Sequence, residues 1–67
     1  MNPLYDVLNC AALSVMCAEG GDGREAEQAW LEATFAAPEA FPPGSPLAAA
    51  LNLVLGAVGD MARGAAV

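Results

Sequence analysis

From Pro3 to Glu19 apolar residues fall on nearly every side, and only Asp6, Asn9, Ser14 and Glu19 interrupt them. Such a run predicts a helix that needs cover on more than one face. One expected stripe is Leu4, Leu8, Ala11, Ala12 and Val15; Cys10, Leu13 and Cys17 form a second beside Asp6. A helix covered twice is expected to be the central element. Asn2 suits its N-cap and Pro3 its first position. Gly20-Gly21 ends it, because glycine accepts the left-handed cap conformation.

The next period is simpler. Ala26, Ala29, Trp30, Ala33 and Ala37 share one helical face, and Leu31 and Phe35 lie opposite. Asp22 is the expected cap, with Glu25 three residues on completing a capping box. The helix is expected over about 23–37, stopped by Pro38, with one further turn at Glu39-Ala40 left open. In Phe41-Pro42-Pro43-Gly44-Ser45-Pro46, the prolines hold Phe41 and Pro42 extended. Phe41 is expected to fold back onto Leu31 and Phe35; otherwise the three form an exposed apolar patch.

Ser45 and Pro46 open a third helix, expected to about Arg63, with 64–67 frayed. Its stripe reads Leu47, Leu51, Val54, Leu55, Val58, Met61 and Ala62. Gly56 and Gly59 each cost a helix ~1 kcal/mol relative to alanine. That cost points to a close approach by another backbone, or to a bend. Leu53 stands alone on the polar side and marks a self-contact. Nothing alternates as a strand would. The pattern therefore predicts an all-α fold: one compact three-helix domain, an antiparallel helical hairpin plus a third amphipathic helix, with helices about 3–19, 23–37 and 46–63.

Composition adds a limit. The chain has 67 residues, of which 57% are hydrophobic, but only Tyr5, Trp30, Phe35 and Phe41 are aromatic. Alanine supplies helix propensity and little buried area, so the core must be thin and self-association is an open alternative.

Charge changes the picture more. Eight acids oppose Arg24 and Arg63, with no lysine or histidine, for a net charge of −6. Binding nucleic acid through phosphates is excluded as a class, and attraction to anionic membrane with it. The N-terminus has no basic region of the secretory kind, no segment is expected to reach membrane-spanning length, and a cytoplasmic location is the expectation.

Enzyme chemistry is not expected. Without histidine there is no Ser-His or Cys-His nucleophile, and without lysine no Schiff base. Cys10 and Cys17 lie seven residues apart on one helix, about 10 Å along its axis, too far for a disulfide. They read as small buried hydrophobes. Zinc lacks ligands. Glu19, Asp22 and Glu25 cluster near the first turn without the alternating pattern of a calcium loop. The expectation is no catalytic residues, no metal and no cofactor.

Six acids fall between Glu19 and Glu39: Glu19, Asp22, Glu25, Glu27, Glu32 and Glu39. The second helix is thus the negative pole, and carboxylates spaced along it can imitate a phosphate row. A protein partner with a basic surface is the complement. Glu25, Glu27, Glu32 and Glu39 would steer it, with Leu31 and Phe35 as the apolar anchor. In size and charge the chain resembles phage-encoded anti-defence proteins, anti-CRISPR proteins among them. That resemblance implies a stoichiometric inhibitor covering a basic nucleic-acid-binding surface. The alternative is a structural or adaptor protein that homodimerises or docks through apolar helix faces, with Leu53, Gly56 and Gly59 at the contact and the acids serving solubility.

Ala26, Trp30, Ala33 and Pro38 also match the small–aromatic–small–proline spacing of the second helix of a tetratricopeptide repeat. Leu13 and Ser14 fall at the matching distance upstream. This second resemblance, over about residues 7–40, implies an antiparallel helical hairpin.

Overall fold

The computed structural model describes residues 2–66. It is an all-α fold of three helices, α1 (Pro3–Glu19), α2 (Gly23–Ala40) and α3 (Pro46–Ala66). The helix starts follow the sequence. Asn2 Oδ1 accepts from the Leu4 amide at 3.0 Å, Asp22 Oδ1 from Glu25 at 3.2 Å, and the Ser45 hydroxyl from Ala48 at 3.1 Å. Each satisfies an amide that the helix itself leaves free.

α1 ends on Gly21, whose φ is 85°. The Asp22 amide reaches back to the Cys17 carbonyl and the Gly21 amide to Ala18, the paired bonds of a glycine-ended helix. This corrects the expected capping box. The Asp22 amide is already committed to α1, so the cap on α2 is one-way.

α2 continues past Pro38 to Ala40, three residues beyond the expected stop. Pro38 lacks the amide that would bond one turn back, yet the Phe41 amide still reaches Ala37 at 3.3 Å. The helix stops at Phe41, held extended (φ −138°, ψ 137°) ahead of Pro42. α3 also runs longer than expected, through Gly64 to Ala66; Val67 lies outside the described residues. Over Pro46–Ala65, with a mean hydropathy of 1.2, α3 is long and apolar enough to cross a membrane by length and composition. This corrects the expectation that no segment reaches that length.

The helix pairs run antiparallel in sequence order. Ser14 meets Ala26 and Cys10 meets Glu32, while Trp30 meets Leu55. α2, not α1, packs most extensively against both neighbours, which corrects the expected central role of α1. The result is a slab of 33 × 23 × 13 Å.

The face of α2 is as the sequence indicates: Gly23, Ala26, Ala29, Ala33 and Ala37 are buried. Their small size lets α1 approach closely enough for the buried Ser14 hydroxyl to donate to the Ala26 carbonyl at 2.6 Å. The other two faces are rotated from expectation. On α1 the buried line is Val7, Ala11 and Ser14, while Leu8, Leu13, Tyr5 and Met16 stay exposed. On α3 it is Leu55, Val58, Gly59 and Ala62, while Leu47, Val54 and Met61 are exposed. α1 is apolar on several sides, so its periodicity does not choose among them. The alanine face of α2 does the choosing.

Candidate functional site

Two places on this scaffold could meet another molecule. The first is a cleft of about 290 Å³ between the end of α2 and the start of α3. Thr34, Ala37, Pro38, Phe41, Pro43, Ala48, Leu51 and Asn52 line it. It is small beside the ~300–1,000 Å³ of ordinary ligand pockets. Its polar groups are Thr34 and Asn52, and the Thr34 hydroxyl is already donated to the Trp30 carbonyl at 2.9 Å. No charged group lines it. In the sequence, the prolines around Phe41 indicate a stiff connection and no cleft.

Phe41 belongs to this cleft and leaves Phe35, one of its two expected contacts, uncovered. It continues the flank of Ala37 and Pro38 that faces α3, and there it is half-buried. Leu31 is half-buried too. Phe35 stands 77% exposed.

The second place is the outer face of α2. Glu25, Glu32 and Glu39 recur at seven-residue intervals, so they fall almost in line, each about 10 Å from the next. All three are exposed. Helical spacing puts Phe35 beside this row, a single apolar knob among carboxylates. Glu27 is exposed as well, but lies about 140° around the helix from Glu32 and belongs to a different flank. Of the six expected contact residues the geometry groups Glu25, Glu32, Phe35 and Glu39. It sets Glu27 apart and places Leu31 one turn before Phe35, on the side away from the row.

The acidic row reaches the groove against α1. Cys10 Sγ lies 3.9 Å from a carboxylate oxygen of Glu32. Burial first, then the negative charges of Glu32 and Asp6 and the contact with Glu32, push the Cys10 thiol above its ordinary value. A thiolate here would lose hydration and face two carboxylates. Cys10 is therefore the opposite of an activated nucleophile. Both cysteines are free. Among the described residues no group of three thiols and carboxylates converges to hold a metal ion.

The flank facing α3 is structural. The Trp30 indole N–H donates to the Leu55 carbonyl at 2.7 Å, and the Arg63 guanidinium sits 5.3 Å from the ring centroid. Arg63 also pairs with Asp60 at 2.8 Å. Of the two expected self-contact glycines, Gly59 is buried behind Trp30, so it cannot meet a second copy. Gly56 has open space beside it, and Leu53 is 78% exposed.

No protein-family model, curated protein or solved structure matches this chain. The antiparallel helical hairpin expected over residues 7–40 is present as α1 and α2.

Proposed function

We propose that this protein acts by stoichiometric binding, laying the outer face of α2 on a basic surface of a larger protein that otherwise holds nucleic acid. The observation carrying this reading is the row of Glu25, Glu32 and Glu39, exposed along one line of α2 with Phe35 beside it. The helix fixes the spacing of the backbone positions that carry the carboxylates, so no segment has to fold on binding. The row offers acceptors to arginine and lysine side chains that otherwise contact phosphates. Phe35 supplies the apolar anchor that a charged rim lacks. An inhibitor of this kind, of the anti-defence type its size and charge resemble, needs no catalytic group, cofactor or metal. It would work in the cytoplasm beside its target.

Capture from host lysate tests the reading, comparing the wild-type chain with Glu25→Lys/Glu32→Lys/Glu39→Lys at low and high salt. The expected partner binds nucleic acid, is lost at high salt and is lost by the triple variant. Capture that resists salt and ignores the triple variant would overturn the proposal.

The adaptor reading keeps one observation of its own, the exposed apolar side chains of α1 and α3.

A further inference from the structure

Most of the acids lie on α2 or in the turn before it, with Asp6 on α1 and Asp60 on α3. Among the described residues, Phe35 is the one large exposed apolar side chain on α2; the others are on α1 and α3. On α3, Leu47, Val54 and Met61 recur every seven residues and so form one line. Leu53 is one step outside it. The line borders the buried face of α3 on the side of Val58, opposite the side where Gly59 meets Trp30. From Pro46 to Gly59 there is no charged residue.

We propose that a second copy of this chain covers this face, α3 against α3 about a twofold axis. Three features argue for that occupant. The first is charge. Each copy carries −6, so two copies repel unless they meet where the acids are distant. Leu47 and Val54 lie in the uncharged stretch of α3, away from the Glu25–Glu32–Glu39 row on α2. A basic partner would be drawn to that row instead.

The second feature is area. The chain exposes 4327 Å², against ~3,900 Å² expected of a monomer of its mass. Leu47, Val54 and Met61, which are 60%, 53% and 44% exposed, are among the large apolar side chains that contribute to this surface. The third is the core. Six of its nine buried hydrophobic residues are alanine, and Val7 is the one larger apolar side chain fully buried. A domain this small with so thin a core is the kind that association completes. The inference stands whether or not α2 binds a basic partner.

Sedimentation equilibrium of the full chain, from micromolar to submillimolar concentration, tests it. The expected result is a mass twice the 6.7 kDa of one chain and a melting temperature that rises with concentration. Val54→Glu should return the mass to that of one chain, while Gln28→Glu, which adds the same charge on α2, should not. Should Val54→Glu lose its helical signal, Met61→Gln serves instead and should weaken dimerisation about tenfold or more. A folded wild-type chain that stays monomeric throughout overturns the proposal. So does a dimer unchanged by these substitutions, or a wild-type chain that floats with neutral phosphatidylcholine vesicles, which would make a bilayer the occupant.

Discussion

Trp30 lies so close to Gly59 that a methyl group at residue 59 would sit 2.7 Å from the indole Cε2 and 2.9 Å from Nε1. Glycine is what lets the ring reach α3 and donate to Leu55. Gly56, one turn earlier, has nothing within 4 Å of the same construction. The two glycines should therefore respond oppositely to alanine. Gly59→Ala must displace a rigid ring and its hydrogen bond; overpacking of this kind costs ~1–3 kcal/mol, against the ~1 kcal/mol of helix propensity gained. Gly56→Ala keeps the propensity gain with no clash and should stabilise by ~0.5–1 kcal/mol. Urea unfolding of both variants checks the pair. A stabilised Gly59→Ala would mean that Trp30 is not seated there.

Ser14 is the fully buried polar side chain of the core, bonded across the α1–α2 contact to the Ala26 carbonyl. Ser14→Ala removes that bond without leaving a polar side chain unpaired. A loss of ~0.5–1.5 kcal/mol is expected in the same assay. No loss would mean that the two helices are not held at that spacing.

The thiol of Cys10 is raised by burial, Glu32 and Asp6. Glu32→Gln removes one of the charges, so Cys10 should titrate lower and alkylate faster in that variant at mildly alkaline pH. Mass spectrometry of the labelled chain reads this directly. The linkage has a definite sign. A thiol raised in the folded state favours folding fully below its unfolded-state value, and that contribution declines as pH rises through the folded-state value. Stability should thus fall on the alkaline side, and fall less in Glu32→Gln.

How much of this was legible depended on what each residue reports. The caps at Asn2, Asp22 and Ser45 could be read because a cap is a local bond between a side chain and the next turn. The alanine face of α2 could be read because it was the one small, consistent stripe. The faces of α1 and α3 could not, because both helices have spare apolar residues, and which ones are buried depends on the neighbour. Leu8, Leu47 and Val54 looked like core and are exposed; Val7 and Ser14, outside both expected stripes, are buried. Gly59 announced a close approach, but nothing local to α3 could say that the intruder was Trp30 rather than a backbone. In the candidate site, seven-residue spacing placed Glu25 beside Glu32. The same spacing extends to Glu39 only because α2 continues through Pro38.

Glu39 stands in the last turn of α2, which has no basic residue. Negative charge at a helix C-terminus opposes the helix dipole. Glu39→Gln should therefore raise the melting temperature slightly while weakening capture of a basic partner. Gains in both stability and binding would remove Glu39 from the contact face.

In the proposed function the α2 face occupies a surface that nucleic acid otherwise uses. Titrating the protein into its captured partner, preloaded with fluorescent nucleic acid, tests this most directly. Nucleic acid is expected to be released as the protein binds, saturating at one acidic face per site, and Glu25→Lys/Glu32→Lys/Glu39→Lys is expected to release none. A stable ternary complex with the nucleic acid still bound would contradict it.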